Sequence, residues 1–215
     1  MRRFFKNNSL SLTMLALFLF SLIGQSLSGW LTYNEEQREH MQAGIRYLEY
    51  LVNHHFLEAV FENWESEFLQ MAAFVALTVF LRQKGSPESK PVEGKQDVDE
   101  IKVTADSPAA VKRGGWMLRL YQNSLSLALF ALFLISFCVH AISGAAEYNA
   151  EQLEHGGEPV SVAEYLGSAR FWYESFQNWQ SEFLSIGVLA VLAVYLRQKG
   201  SPESKPVGAA HSEHE

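Results

Sequence analysis

The sequence predicts an all-α, polytopic membrane protein: four transmembrane helices in two parallel tandem helical-hairpin repeats, with amphipathic helices in the outer loops. Three observations predict it. Apolar residues are gathered in blocks, lysine and arginine cluster at one set of block ends, and the second half of the chain repeats the first in one unbroken register. A spanning helix needs about 20 mostly apolar residues. Ser9 to Leu31 meets this with no ionisable side chain, and Ser124 to Ala146 meets it with His140 as its one ionisable group. Phe68 to Leu81, between Glu67 and Arg82, and Phe183 to Leu196, between Glu182 and Arg197, are shorter. They supply the second and fourth predicted spans once the turn around Trp64 and Ser66, and its counterpart, is added. Many of the aromatics flank these blocks, as expected of rings at headgroup depth.

The opening Met1-Arg2-Arg3-Phe4-Phe5-Lys6 and the apolar run behind it have the form of a secretory leader. The same block recurs in the middle of the chain, where no leader acts, so the first is expected to be a retained span. Orientation follows the basic residues. Arg2, Arg3 and Lys6 precede the first span, and Arg82, Lys84, Lys90, Lys95, Lys102, Lys112, Arg113 and Arg119 lie between the second and third. Arg197, Lys199 and Lys205 follow the fourth, whereas the hairpin loops hold only Arg38, Arg46 and Arg170 against many glutamates. Both termini and the middle segment are expected to be cytoplasmic, with both acidic loops outside.

The repeat is visible phrase by phrase. Asn8-Ser9-Leu10-Ser11-Leu12 returns as Asn123-Ser124-Leu125-Ser126-Leu127, Tyr33-Asn34 as Tyr148-Asn149, and Glu39-His40 as Glu154-His155. Leu81 through Val92 returns unchanged as Leu196 through Val207. Such self-similarity in one register marks a duplicated unit. An even number of spans per copy makes the repeats parallel, related by a pseudo-twofold axis along the membrane normal. Small residues, among them Gly24, Ser28, Gly29, Ser136, Ser143 and Gly144, would let helices approach closely at the seam. The expected units are a first hairpin over 1–84, a flexible cytoplasmic linker over 85–115, a second hairpin over 116–199 and a disordered tail over 200–215, with His211 and His214 solvated.

Four phrases taken together, Gly24-Gln25-Ser26-Leu27-Ser28-Gly29-Trp30, Tyr33 to His40, Asn63 to Gln70 and Leu81 to Ser86, resemble an uncharacterised family of bacterial inner-membrane proteins catalogued as a domain of unknown function. The resemblance covers nearly the whole chain outside the linker and tail, and it implies no activity, ligand or catalytic residue. The second copy departs from these phrases at Val139-His140-Ala141-Ile142.

Composition narrows the chemistry. A net charge of −7 with no basic stripe argues against nucleic acid as a partner. The single cysteine, Cys138, forms neither an internal disulfide nor a cysteine cluster. No phosphate loop, dinucleotide fingerprint, zinc-protease helix or nucleophile elbow is present, so no cofactor is named and no catalytic residue is assigned.

Four constellations remain. Glu36 and His40, matched by Glu151 and His155, sit four apart and share a helical face, with Glu39 and Glu154 beside them. They are candidate metal ligands, against the plainer reading of a solvated loop. Asn63, Trp64 and Glu67, matched by Asn178, Trp179 and Glu182, are candidates for an outer mouth or a partner surface, against helix bridging and interfacial anchoring. Gln25 and His140 occupy matching intramembrane positions, where an ionisable group is a functional candidate and a simple hydrogen bond across a seam is the alternative. Ile45 to Phe61 is expected as an amphipathic helix on the outer leaflet, or as an outward extension of the second span.

Three function classes follow. The first is a non-enzymatic scaffold or accessory subunit acting through a membrane-protein partner. The second is a small channel or transporter formed as a homo-oligomer in the lipid bilayer. The third is a metal-binding sensor or enzyme using the paired Glu and His residues of the outer loops.

Overall fold

The computed structural model describes residues 2–94 and 96–211. Lys95, His214 and the end of the expected disordered tail lie outside them. The described residues form helices and turns, with no strand. A short helix α1 (Arg2–Asn7) leads into α2 (Ser9–Glu39), and α3 (Tyr47–Tyr50) precedes α4 (His54–Phe80). A single 3-10 turn (Asp97–Asp99), α5 (Ala109–Arg113) and α6 (Gly115–Gln122) follow, then α7 (Ser124–Glu154), α8 (Val162–Leu166) and α9 (Ala169–Tyr195). The long helices match in pairs: α2 and α7 have 31 residues each, α4 and α9 have 27 each.

Local chemistry sets the boundaries. The Asn53 side chain accepts from the His55 amide at the start of α4, and Ser168 accepts from the Phe171 amide at the start of α9. Ser161 and Glu164 close a reciprocal capping box on α8. Asn34 grips the first loop by both ends of its amide, accepting from Ile45 N at 2.6 Å and donating to Ile45 O at 3.1 Å. Asn149 holds Val160 in the same way, at 2.7 and 2.8 Å. At the end of α2 the Gln42 amide donates back to Gln37 O at 2.7 Å, and at the end of α7 Gly157 donates to Gln152 O at 2.7 Å. This reverse turn needs a left-handed residue at its centre. Gly156 takes it with φ 73°, and Met41 takes it with φ 59°.

Each hairpin has its own aromatic core. Tyr50, Phe56 and Val60 pack with Leu22, Trp30 and Tyr33 in the first. Tyr165, Phe171, Ala141 and Ala145 pack with Phe137 and Tyr148 in the second. The hairpins meet where α4 runs along α7, with lighter contact between α4 and α9. Small residues buried on α7 around His140, namely Ser136, Ser143 and Gly144, permit that approach. The counterpart helices α2 and α9 make no comparable contact. The seam therefore joins unlike helices and lacks the expected pseudo-twofold form.

Among the described residues two helices, not the expected four, are long and apolar enough to cross a membrane: α2 and α7. Only 6% of the most apolar window of α2 and 22% of that of α7 is buried, so most of this surface is covered by nothing within the chain. The other two fall short because their apolar ends, Phe68 to Phe80 and Phe183 to Tyr195, are each only about 20 Å long at 1.5 Å per residue, against a hydrocarbon core of about 30 Å. The remainder of α4 carries Glu58, Glu62, Glu65 and Glu67. Of the two forms expected for Ile45 to Phe61, the outward extension is the one present from His54 onward. No separate amphipathic helix spans Ile45 to Phe61, because the Asn53 cap starts α4 within it and leaves α3 and α8 as single turns.

Turns also shape the segments after α4 and α9. Gln83 N donates to Ser89 Oγ at 2.7 Å, and Gln198 N to Ser204 Oγ at 2.8 Å, so the unchanged run folds alike twice. The Lys205 ammonium donates to the carbonyls of Ala210 and His211.

Candidate functional site

His140 lies on the face of α7 turned toward α4, and neither it nor Glu65 is exposed at all (0% each). Its Nδ1 is 2.8 Å from Glu65 Oε2. The second Glu65 oxygen accepts from the Trp179 indole at 2.9 Å, which ties α9 into the same pair. A carboxylate on Nδ1 fixes the ring's orientation and its tautomer. Phe171 stacks on the imidazole, with centroids 4.9 Å apart.

The other ring nitrogen is the notable atom. His140 Nε2 is buried with no hydrogen-bond partner, and Glu174 Oε2 stands 3.8 Å away, beyond hydrogen-bond reach. Glu58 joins the group: one donor atom from each of Glu58, His140 and Glu174 lies within 4.8 Å of the others. Tyr165, itself fully buried, donates to Glu174 Oε2 at 2.7 Å and reaches Glu58 Oε1 at 3.4 Å. Arg170 Nε donates to Glu174 Oε1 at 2.9 Å, and the same guanidinium binds Glu151 with its other nitrogens.

The electrostatics split the two carboxylates. Burial, then the charges of Glu174 and Glu147, pushes Glu58 up to about 7, against the lesser opposing pull of His140 and Arg170. Burial also raises Glu174, but the His140 imidazole 3.8 Å away and hydrogen bonds from Tyr165 and Arg170 outweigh it and leave Glu174 below its ordinary value. Glu62, which accepts from Asn178, is raised mainly by burial. One carboxylate is thus held charged while its neighbour keeps a proton near neutrality.

The group opens into a cleft of about 640 Å³ between α2, α4, α7 and α9. Glu36, Glu58, Glu62, Glu147, Glu151, Glu154 and Glu174 line it, with His40, His55, His155 and Arg170. The excess of carboxylates favours a cation there. An imidazole nitrogen with two carboxylates is a donor set suited to zinc, manganese, iron, cobalt or nickel. Three protein donors also leave positions for water.

The residues singled out from sequence fall as follows. Glu36, His40, Glu151 and His155 all line the cleft, though Glu151 is taken up by Arg170 and His155 Nδ1 donates to the Glu151 carbonyl at 2.8 Å. Asn178 and Trp179 reach the buried group through Glu62 and Glu65. Their counterparts do not: Asn63 donates to Ala59 O on its own helix, and Trp64 packs on Phe18 and Phe61. Glu67 is exposed, and after burial its charge is the next cause of a raised Glu182. His140 is in the group, whereas Gln25 is exposed on α2. Glu58, Glu65, Tyr165, Arg170 and Glu174 were not singled out. In the register of the repeat, Glu58 aligns with Tyr173, Glu174 with Ala59, Glu65 with Gln180 and His140 with Gln25. The group is built where the two copies differ, and that difference was the available signal.

Fold and site define an all-helical chain with two helices fit to cross a membrane and a buried imidazole–carboxylate cluster at their loop-side ends. The chain belongs to the family described as a domain of unknown function, DUF6766, whose model matches residues 1–215. No curated protein and no solved structure matches it.

Proposed function

We propose that this chain is a membrane-anchored protein that binds a divalent transition-metal ion at Glu58, His140 and Glu174. The observation that carries the reading is His140 Nε2, buried and without a hydrogen-bond partner, facing two carboxylates. Burial of a polar nitrogen without a hydrogen bond is costly; Nε2 has only the 3.8 Å charge contact with Glu174, and a metal ion would supply a closer partner. Glu65 would act from behind, holding the ring so that Nε2 points at the ion. The cleft would concentrate cations above the site, with Glu36, His40, Glu151 and His155 as its outer ring.

Anchoring rests on α2 and α7, whose apolar surfaces are largely uncovered. Basic residues precede both helices, Arg2, Arg3 and Lys6 before α2 and Lys112, Arg113 and Arg119 before α7. That bias favours their N-terminal ends on the cytoplasmic side of a bacterial inner membrane and the acidic cleft on the other. A scaffold or accessory role is the second reading, favoured by the uncovered length of α2. It is compatible with a bound metal ion.

Metal analysis of protein isolated from its own membranes, followed by removal with chelator and calorimetric rebinding of Zn²⁺ and Mn²⁺, tests the site. One ion per chain, lost in His140→Ala and Glu174→Gln but kept in the Glu36→Ala/His40→Ala double variant, supports the buried site. Retention in His140→Ala with loss in the double variant would move the metal to the outer ring. No binding in the wild type removes the metal reading and leaves the accessory one.

A further inference from the structure

We propose that two copies of this chain assemble through α2 of one and α9 of the other, repeating between chains the α4–α7 seam that joins the hairpins within each chain. The inference does not depend on metal binding. Along the α4–α7 seam, centred on Glu65 and His140, the buried residues of α4 include Glu65, Ser66, Gln70 and Ala72 and those of α7 include Ser136, His140, Ser143 and Gly144. In the register of the repeat, the α4 positions correspond on α9 to Gln180, Ser181, Ser185 and Gly187, and all four are exposed. The α7 positions correspond on α2 to Ser21, Gln25 and Ser28, all exposed, and to half-buried Gly29. Each chain therefore buries one half of a matched pair of surfaces and leaves the other half open. A second copy supplies the missing complement, since its α2 and α9 are likewise open.

The polar pair at the centre supports the same occupant. Gln25 sits in a charge-free apolar stretch of α2, and its side chain has no hydrogen-bond partner among the described residues. An amide facing hydrocarbon is costly. Placed as His140 is to Glu65, Gln25 would meet Gln180, whose amide nitrogen rests on its own helix at Gln177 O, 3.2 Å away. Two glutamines can each donate and accept across a seam. Both members of the pair differ from the internal seam together, imidazole and carboxylate becoming amide and amide, so the second seam stays neutral and hydrogen-bonded. Two such contacts related by a twofold axis close a ring of four hairpins, which ends assembly at the dimer.

Single-cysteine variants Gln25→Cys and Gln180→Cys, each in a Cys138→Ser background with a different tag, test the arrangement in native membranes treated with a short bis-maleimide. A Glu65→Cys/His140→Cys chain with a protease site inserted in the 85–115 segment reports the internal seam, because cross-linking keeps its halves together after cleavage. The expected result is a covalent dimer carrying both tags when the two variants are co-expressed, and no larger species from the Gln25→Cys/Gln180→Cys double variant. Only monomer in the mixed membranes, with the internal seam cross-linked, would overturn the proposal. So would Gln25→Cys joining only to itself, or the double variant cross-linking within one chain.

Discussion

The imidazole of His140 and the carboxylate of Glu65 are held 2.8 Å apart with no exposure on either side, although 75 residues separate them in the chain. A buried pair of this kind is costly to break from one side, because the group left behind keeps its charge without a partner. His140→Ala is expected to cost about 3–5 kcal/mol of stability. His140→Gln, which can still donate to Glu65, should cost much less. Thermal unfolding in detergent distinguishes them; equal midpoints for wild type and His140→Ala would show that the pair holds nothing.

Trp179 closes the same carboxylate from the other oxygen. Trp179→Phe keeps the ring beside Phe133, Trp172 and Phe176 but removes the donor to Glu65. A hydrogen bond to a charged group is worth about 1.5–3 kcal/mol, and a loss in that range is expected by denaturant titration. Trp64→Phe, at the matching position of the first copy, should cost clearly less, since Trp64 donates to no carboxylate. Equal losses would mean that both indoles act through packing alone.

How much of this was legible in the sequence depends on which residues are asked. The long helices α2 and α7 were legible, because charge-free apolar runs of that length have few other fates. The span count was not: the short apolar ends of α4 and α9 look like spans until helix limits show how little apolar length each has. His140 stood out as an ionisable group inside an apolar run, but its partner did not. Symmetry pointed to Gln25, while the chain packs unlike helices and brings up Glu65. Glu67 drew attention for its spacing from Asn63, and Glu65, two residues earlier, lies on the face that α7 covers. Glu58 and Glu174 carry no repeat signal, because Tyr173 and Ala59 stand at the matching positions.

Gly144 faces Tyr165 and Glu58 across the seam. A Cβ built there would lie 2.6 Å from Tyr165 Oη and 2.8 Å from Glu58 Oε1. Tyr165 is fully buried and has no room to swing away. Gly144→Ala is therefore expected to cost about 1–3 kcal/mol through overpacking and to weaken metal binding by displacing the Tyr165 hydroxyl from Glu174. Gly29→Ala, which meets Tyr50 Oη in the first hairpin, should lower stability while leaving metal binding unchanged. Calorimetry on both variants checks the contrast, and a similar effect on binding from each would show that the loss does not act through the Tyr165 hydroxyl.

Met41 holds the left-handed position that Gly156 holds in the second copy. A side chain costs about 1–2 kcal/mol in that conformation, and glycine gives part of the gain back through its freer unfolded chain. Met41→Gly is expected to raise stability by about 0.5–1 kcal/mol. A lower unfolding midpoint would mean that the exposed Met41 side chain contributes a contact worth more than the strain.

Glu58 ties stability to pH. Burial and the neighbouring charges of Glu174 and Glu147 raise it to about 7 in the folded chain from 4.5. Between those two values the folded state holds more protons than the unfolded one, so stability falls as pH rises. A shift of this size corresponds to a loss on the order of 3 kcal/mol between pH 4.5 and 7. The metal-free protein should therefore unfold at a lower temperature at pH 7.5 than at pH 5, and Glu58→Gln, which cannot ionise, should flatten that slope. A saturating divalent ion should reverse the trend, because it binds the ionised carboxylate and releases the proton. Melting curves at three pH values, with and without Zn²⁺, read all three effects at once. A metal-free protein whose midpoint rises steadily from pH 5 to 7.5 would show that Glu58 is not held protonated, and that the cleft is wetter at its floor than its packing implies.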